Sequence, residues 1–294
     1  MACTNPLTAY QCANGDVVFV ERRRHDITRT LSLPCGQCMG CRLERSRVWA
    51  VRCVHEAKMH ERNSFVTLTY DEKHFPDRGM LLYRDFQLFM KRLRKEKGPV
   101  RFYMCGEYGP LNWRPHFHAC LFGVDFDDKV FWGKGEGGFD VYRSAELERL
   151  WGQGFCTVGE VGFESAAYTA RYCVQKVTGD AADRHYARRD SLGEYMLPAE
   201  FNHMSLKPGI GANFMKRWKT DIYPNDYVVI RGKEMKPPKY YDKLFKRDEP
   251  EVFDQLQWAR EMEGRSKYED NTPECLAVKD QVTKARLKLL RRTI

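Results

Sequence analysis

The chain has 294 residues, a formal net charge of +9 and a sequence pI of about 8.9, so it can bury a sizeable core and favours a polyanion as its partner. No stretch approaches the ~18 apolar residues of a membrane span, and the amino terminus lacks a secretory signal pattern, which argues against a membrane protein. The odd number of cysteines, eleven, argues against a disulfide framework and predicts a protein of the reducing cytoplasm.

Residues 1–41 are predicted to be a cysteine-rich segment with irregular structure or short strands. Cys35, Cys38 and Cys41 follow one another at intervals of three residues, and three thiolates at this spacing can grip one soft ion. A fourth thiol would close a tetrahedral zinc site. Cys12 or Cys3 can supply it, and the predicted set uses Cys12. The alternative is a group of reduced thiols that cap a helix.

The next segment predicts a helix followed by a strand. The apolar positions from Arg42 to Glu61 have helical spacing. Asn63 and Ser64 break this pattern, and the β-branched alternation from Phe65 to Tyr70 is typical of a strand.

A basic amphipathic helix is predicted from Tyr83 to Lys97. Its apolar face comprises Phe86, Phe89, Met90 and Leu93. The other faces carry basic side chains, among which Lys91, Arg92 and Arg94 are candidates for contacts with DNA phosphates. The alternative is a solvated helix face.

The pattern from Val100 to Gly123 predicts two strands joined by a loop that is rich in Gly, Pro and Asn. On the second strand His116 and His118 share one face, because side chains alternate along a strand. If the strands form a hairpin with Glu107 opposite His116, the carboxylate lies on the same face. Two imidazoles and a carboxylate form an open site that accepts Mg²⁺ or Mn²⁺. The alternative is that the histidines only cap a polar sheet face.

The glycine-rich residues 133–138 predict a flexible loop, because no Gly-Lys-Ser/Thr opens a helix after them. The sequence holds no Walker A motif, so unwinding of DNA would require a partner. Ser144 is a candidate cap for a short helix from Ala145 to Trp151, and a strand is predicted from Gly154 to Glu160.

A second candidate element of the site is the helix predicted from Glu164 to Gly179. Tyr168, Tyr172 and Lys176 fall together on one face of this helix. The predicted apolar stripe lies on the opposite face and comprises Ala167, Ala170, Val174 and Val177. A strand that binds a metal and a helix that presents tyrosines suggest a nucleophile aimed at a phosphate. Alternatively, the tyrosines are exposed and stack on a loop.

Residues 178–205 lack periodicity and are predicted to be a loop, and the tail after residue 236 is predicted to be mainly helical and basic. Between Lys207 and Arg247 basic and aromatic residues alternate, a pattern typical of binding to single-stranded nucleic acid. The DNA-binding candidates in this stretch are Lys207, Lys216, Arg217 and Trp218. A plain turn is predicted for residues 207–212.

The order of the elements predicts an α+β fold, a central antiparallel sheet with helices packed on one face. The predicted domains are the cysteine-rich segment 1–41, a catalytic domain 42–235 and a helical extension 236–294.

Three motifs, taken in order, resemble those of HUH endonucleases: the Thr67–Tyr70 strand, the strand Pro-His-Phe-His118, and the helix with Tyr168, Tyr172 and Lys176. More narrowly, the chain resembles the replication initiators of gokushovirus-type microviruses, which are small single-stranded DNA phages. This resemblance extends to about residue 247 and rests on three further segments, Pro34–Cys41, Cys105–Gly109 and Met235–Leu244.

The resemblance implies a rolling-circle initiator that nicks a replication origin in the cytoplasm of the host bacterium. A tyrosine would attack the phosphate and leave a 5′-phosphotyrosyl bond and a free 3′-OH, while Lys176 neutralises charge or lowers the pKa of the phenol. A host helicase and polymerase would act with it. Three alternatives remain: a zinc-dependent nucleic-acid-binding protein without catalysis, an HUH transposase or relaxase, and a hydrolase that activates water on a metal.

Overall fold

The computed structural model describes residues 3–22, 26–110, 112–135, 138–177 and 179–289, and the side chains of 171–175 and 289 lie outside the described part. The chain divides into two compact units. One consists of Met1–Arg45 and Gln255–Arg292, and the other of Ser46–Asp254. The cysteine-rich segment therefore shares a unit with the C-terminal helices, a grouping different from the predicted three segments.

The described residues contain the following strands: β1 (Leu7–Cys12), β2 (Val17–Val18), β3 (Ile27–Leu33), β4 (Asn63–Thr69), β5 (Arg101–Tyr108), β6 (Pro115–Phe122), β7 (Val130–Lys134), β8 (Asp140–Arg143), β9 (Cys156–Gly159), β10 (Ala187–Asp190), β11 (Gly193–Met196), β12 (Phe201–Met204), β13 (Val228–Ile230) and β14 (Lys233–Met235).

The α-helices of the described residues are α1 (Met39–Ala57), α2 (Tyr83–Lys97), α3 (Ala145–Trp151), α4 (Phe163–Gln175), α5 (Asp180–Tyr186), α6 (Ala212–Arg217), α7 (Lys219–Ile222), α8 (Lys239–Asp248), α9 (Pro250–Ser266) and α10 (Pro273–Leu289). Each is too short or too polar to span a membrane, as far as the described residues extend.

A seven-stranded sheet organises the larger unit, with the strand order β12-β5-β6-β4-β9-β8-β7. Every pair of neighbouring strands in it is antiparallel. The predicted α+β class is confirmed. β6 lies between β5 and β4, so both of its edges are hydrogen-bonded.

Helices cover both faces of this sheet, which corrects the prediction of helices on one face. On one face, Phe117 and Leu121 of β6 belong to a core that also contains Phe86 of α2 and Trp151 of α3. On the other face, the core consists of Ala50, Cys53, Tyr103, Cys120, Phe122, Ala166, Ala170 and Ile210, which come mainly from α1, the sheet and α4. The central strands are therefore buried on both sides.

Several local predictions are confirmed. The helix from Tyr83 to Lys97 has the predicted bounds, and its predicted apolar residues are the ones it buries. The Ser144 side chain accepts a hydrogen bond from the backbone N–H of Leu147 and so caps α3. These features depend on side-chain periodicity and on one hydroxyl, which is why the sequence reveals them.

The prediction of a loop over residues 178–205 is wrong. The described part of this stretch contains α5, the hairpin β10-β11 and the edge strand β12. β12 has four residues and pairs with β5 from Phe201 to Met204. Such a short strand at a sheet edge carries too little alternation to be recognised from sequence, since pairing with β5 defines it.

The smaller unit combines a three-stranded antiparallel sheet, of order β2-β1-β3, with the C-terminal helices. Within this unit Thr4 Oγ1 donates a hydrogen bond of 2.9 Å to Asp280 of α10, and Arg29 of β3 pairs with Glu261 of α9. The predicted helical tail is confirmed for its described residues.

His55 is buried in the helix-covered face beside α1. Its ring stacks on Phe214 with centroids 3.7 Å apart, and its Nδ1 lies 2.9 Å from the hydroxyl of Tyr241. Burial, with a smaller contribution from the charge of Lys58, lowers the pKa of His55 from 6.5 to about 3. The imidazole is therefore neutral in the folded protein at neutral pH.

We expect this histidine to make the fold acid-sensitive. The unfolded chain binds a proton at His55 below pH ~6.5 and the folded chain does not, so stability is complete above that pH and is lost as pH falls towards 3. Between pH 7 and 4.5 the loss from this group is about 2–3 kcal/mol. Urea unfolding of wild type and His55→Gln at both pH values measures it. Equal pH dependence in the two proteins would contradict the assignment.

Candidate active site

The registers of β4, β5 and β6 bring the candidate metal ligands together. Glu107 pairs directly with His116, as the sequence predicts, and Thr67 of β4 pairs with His118. Because the side chains of directly paired residues lie on the same sheet face, the carboxylate and both imidazoles share the face covered by α4.

Three side chains converge on one oxygen atom, Oε1 of Glu107. It lies 3.3 Å from Nε2 of His116 and 3.1 Å from Nε2 of His118. The hydroxyl of Tyr168 donates a hydrogen bond of 3.1 Å to the same oxygen. The Glu107, His116 and His118 side chains are only 12%, 16% and 8% exposed, so their interactions are little screened by water.

The outer ring nitrogens of both histidines are fixed. Nδ1 of His116 lies 3.1 Å from the carbonyl oxygen of Arg114, to which it can only donate, so Nε2 carries the lone pair. Nδ1 of His118 lies 2.9 Å from the hydroxyl of Thr67. Such contacts orient a metal-ligating imidazole and fix its tautomer.

The electrostatics of the site favour an ionised carboxylate beside neutral imidazoles. Burial raises the pKa of Glu107, but hydrogen bonds from His116 and His118 and their charges outweigh it and hold the pKa well below its usual range. Burial lowers the pKa of His118, and the nearby Glu107 offsets this only in part. Metal ligation requires these protonation states.

Glu107, His116 and His118 form a group whose size fits a small divalent cation. Their ligand atoms all lie within 4.8 Å of one another. Adjacent ligands of an octahedral ion with bonds of ~2.1 Å are about 3.0 Å apart, close to the distances around Oε1. Nε2 of His118 is buried and has no hydrogen-bond partner among the described residues, and a bound cation would satisfy it.

Tyr168 faces the sheet, which differs from the predicted arrangement. The stripe that α4 buries contains Ala166 and Ala170, both without exposed surface, whereas Ala167 is half-buried. The phenol ring of Tyr168 meets the ring of His118 edge-on, with centroids 4.8 Å apart. The contact with the sheet therefore includes the tyrosine, and the predicted separation of apolar and tyrosine faces is wrong at this position.

The other two residues of the predicted nucleophile helix have less definition. The backbone of Tyr172 belongs to α4, and its side chain lies outside the described residues. Lys176 directly follows the last residue of α4 instead of lying in the helix.

A second candidate metal group consists of Cys3, Cys35, Cys38 and Cys41, whose sulfur atoms all lie within 4.8 Å of one another. Burial raises the pKa of Cys38, but hydrogen bonds from Thr4 and Cys41 outweigh it and lower that pKa to about 6. Burial and the neighbouring thiols raise the pKa of Cys41 to about 12. All the described cysteines are free thiols.

Cys12, the fourth ligand in the predicted set, is replaced by Cys3. β1 and β3 are antiparallel with Leu7 opposite Leu33, so the residues before β1 and after β3 lie at the same end of the sheet. Cys12 pairs with Ile27 at the other end of β1, five residues or about 17 Å from Leu7. Spacing along the chain could not decide between the two cysteines, whereas strand register does.

Several predicted DNA-binding residues have structural contacts. Arg92 donates to the carbonyl oxygens of Leu150 and Trp151 at 2.6 and 2.7 Å, and Arg94 donates to that of Val100. The Trp218 ring lies 4.3 Å from Phe214. The exposed candidates are Lys91, Lys207, Lys216 and Arg217.

Other aromatic residues of the basic stretch are buried. Tyr223 stacks on Phe245 with centroids 4.0 Å apart, and Tyr241 has no exposed surface. The predicted turn at residues 207–212 is confirmed, and its Gly209 and Gly211 donate N–H groups to Tyr240 and Glu56. The alternation of basic and aromatic residues therefore serves packing to a large extent.

Sequence reasoning missed Thr67 as a partner of His118. Its position on the strand that resembles the first HUH motif was visible, and its side chain alternates with the apolar Val66 and Leu68. Only the register between β4 and β6 shows which residue it meets.

Comparison with known proteins gives three related replication proteins. The chain is 32% identical to the replication-associated protein VP4 of Bdellovibrio phage phiMH2K over 264 residues, which are 86% of this chain and 80% of that protein. It is 31% identical to the replication-associated protein ORF2 of Spiroplasma virus 4, across 86% of this chain and 83% of that protein. It is 30% identical to the replication-associated protein ORF4 of Chlamydia phage 1, across 73% and 54%. No solved structure matches the chain.

A family model for the replication-associated protein ORF2 matches residues 63–177, the part that contains Glu107, His116, His118 and Tyr168. Sheet, site and matches together define a replication-associated protein of a phage. More narrowly, the chain belongs to the family of replication-associated proteins of gokushovirus-type microviruses.

We expect Thr67→Val to weaken binding of Mn²⁺ by about 10- to 100-fold, because it removes the hydroxyl that orients His118 and keeps the side-chain shape. Titration calorimetry of the purified protein measures the affinity. Thr157→Val is the matched control, since Thr157 pairs with Thr67 but lies one strand further from His118. Equal affinities in the two variants would show that Thr67 does not orient the ligand.

Proposed function

We propose that the protein is a metal-dependent tyrosine endonuclease that nicks the origin of a circular single-stranded DNA phage and starts rolling-circle replication. Nicking would occur in the cytoplasm of the host bacterium. The proposed endonuclease domain, residues 42–235, contains the candidate metal ligands and Tyr168.

The observation that carries this proposal is the hydrogen bond from Tyr168 to Glu107. A phenol 3.1 Å from a carboxylate that also contacts two imidazoles lies where a phosphate oxygen and a nucleophile would both be needed. A structural role would not require a tyrosine beside two neutral histidines. Water-based hydrolysis would not use the phenol.

In the proposed step, Oη of Tyr168 attacks phosphorus and forms the Tyr–O–P bond as the P–O3′ bond breaks. The phenol proton, which the hydroxyl now directs at Oε1 of Glu107, must leave as Oη attacks. The departing O3′ takes up a proton and becomes the free 3′-OH that a polymerase extends. The phosphotyrosyl ester keeps one phosphate ester bond in place of another, so later rejoining needs no ATP.

Glu107, His116 and His118 would hold Mg²⁺ or Mn²⁺, which polarises the scissile phosphate when it is bound. The chain contributes the ligand positions, which Thr67 and the Arg114 carbonyl fix before any substrate binds. Low exposure of the three side chains strengthens their interaction with charge.

Tyr172 would act as a second nucleophile in the proposed cycle. It follows Tyr168 by one turn of α4, so the two phenols could alternate between holding the parental 5′ end and cutting the regenerated origin. Lys176, just after the helix, would neutralise phosphate charge.

Single-stranded origin DNA is the proposed substrate, and a host helicase and polymerase are the proposed partners. The sequence lacks a Walker A motif, so strand separation would come from another protein. Exposed Lys91, Lys207, Lys216 and Arg217 are the proposed contacts with DNA phosphates.

Incubation with an origin oligonucleotide and Mn²⁺ is expected to give a protein–DNA adduct that resists denaturant. The adduct should disappear in the double variant Tyr168→Phe/Tyr172→Phe, because no phenolic nucleophile is left on α4. Denaturing electrophoresis with labelled DNA measures it, and mass spectrometry of the nucleotide–peptide identifies the attacking residue.

Tyr142→Phe is the control, since Tyr142 lies on β8 outside the site. An adduct that persists in the double variant would remove both tyrosines from the mechanism. Cleavage without any adduct would indicate a hydrolase, and binding without cleavage would indicate a non-catalytic protein.

Glu107→Gln is expected to lower the rate of adduct formation by about 10²-fold or more and to raise the Mn²⁺ concentration needed for half-maximal rate. The amide keeps the size of the side chain but loses the charge that balances the cation. Glu160→Gln, on the residue after β9, is a matched control. Unchanged dependence on Mn²⁺ in Glu107→Gln would exclude Glu107 as a ligand.

A further inference from the structure

The cysteine group of the smaller unit has the dimensions of a four-thiolate metal site. Sγ of Cys3 lies 3.7 Å from Sγ of Cys35 and 3.8 Å from Sγ of Cys38. A tetrahedron with Zn–S bonds of ~2.3 Å has sulfur–sulfur edges of about 3.8 Å. Disulfide bonds would require sulfur atoms about 2.05 Å apart.

Three segments distant in sequence supply the four sulfurs. Cys3 precedes β1, Cys35 follows β3, Cys38 directly precedes α1 and Cys41 lies in its first turn. The antiparallel pairing of Leu7 with Leu33 brings the first two together at one end of the sheet. The start of α1 supplies the others, so the geometry follows from the fold of this unit.

Backbone N–H groups point at the sulfurs, as they do where thiolates bind a metal. The N–H of Cys35 donates to Sγ of Cys3 at 3.3 Å, and that of Cys38 to Sγ of Cys35 at 3.2 Å. The N–H of Thr4 donates to Sγ of Cys38 at 3.5 Å. These bonds disperse negative charge from sulfur and orient the ligands.

Two guanidinium groups lie beside the loop that carries the cysteines. Arg42 donates to the carbonyl oxygen of Gln37 at 2.9 Å, and Arg45 donates to that of Gly36 at 3.3 Å. Four thiolates around a divalent ion leave two negative charges in excess. Nearby arginines would offset that excess.

We propose that Cys3, Cys35, Cys38 and Cys41 bind one zinc ion in a closed, structural site. A tetrahedral set of four thiolates selects zinc among the common divalent ions and leaves no open position for substrate. The ion would join the segment before β1, the end of β3 and the start of α1. It is separate from the hard-cation site formed by Glu107, His116 and His118 and does not depend on the nicking reaction.

The test measures metal content in the absence of DNA. His118→Ala protein, in which the histidine site has lost a ligand, is purified from cells supplied with both zinc and iron and analysed by mass spectrometry of its metals. One zinc ion per chain is the expected result. A chain that holds iron, or that holds no zinc even after refolding with zinc, overturns the proposal.

Cysteine variants then assign the ligands. Cys3→Ser in the same background should lose the zinc, whereas Cys12→Ser, at the far end of β1, and Cys275→Ser, on α10, should keep it. Loss of zinc from Cys12→Ser but not from Cys3→Ser would overturn the assignment. If Cys3→Ser fails to fold, titration of the His118→Ala protein with an organomercurial reagent decides, because zinc release must follow modification of thiols.

The ion should also protect its own segment. Removal of zinc by the organomercurial reagent is expected to raise the rate of proteolytic cleavage within residues 3–45, because the three joined segments lose their common ligand. Cleavage sites identified by mass spectrometry measure this effect. An unchanged rate after complete zinc release would overturn the structural role.

Discussion

The register of β6 between β5 and β4 is the constraint on which the candidate site depends. Side chains alternate along a strand, so a slip of one residue would turn His116 and His118 towards α2 and α3. Phe117 and Leu121 oppose that slip, because they fill the apolar core on that side. Burial of the phenylalanine and leucine thus determines where the imidazoles lie.

A second constraint is the close approach of α4 to the same sheet. Ala166 and Ala170 have no exposed surface, and Thr169 Oγ1 lies 3.8 Å from Sγ of Cys120 on β6. Small side chains allow the helix backbone to lie near the strands, which lets the hydroxyl of Tyr168 reach Glu107. Larger residues at these positions would move the phenol away from the carboxylate.

Much of the positive charge of this chain stabilises the fold. Arg92 binds the carbonyl oxygens at the end of α3, Arg94 binds the carbonyl of Val100, and Arg101 pairs with Glu56. A guanidinium offers several donors in a fixed plane, so it can satisfy the carbonyl oxygens left unpaired where helices end. Net charge therefore indicates a polyanion partner without showing which arginines would touch it.

Features that rest on local periodicity and short connections were predictable from the amino-acid order. They include the bounds of α2, the Ser144 cap, the two imidazoles on one face and the pairing of Glu107 with His116, because a short loop joins their two strands. Folding in three dimensions decided that helices cover both sheet faces and that Cys3, not Cys12, joins the other cysteines. It also decided that Tyr168 faces the sheet and that Thr67 meets His118. These contacts join residues far apart along the chain, and strand register and helix packing, which no local pattern encodes, determine their distances.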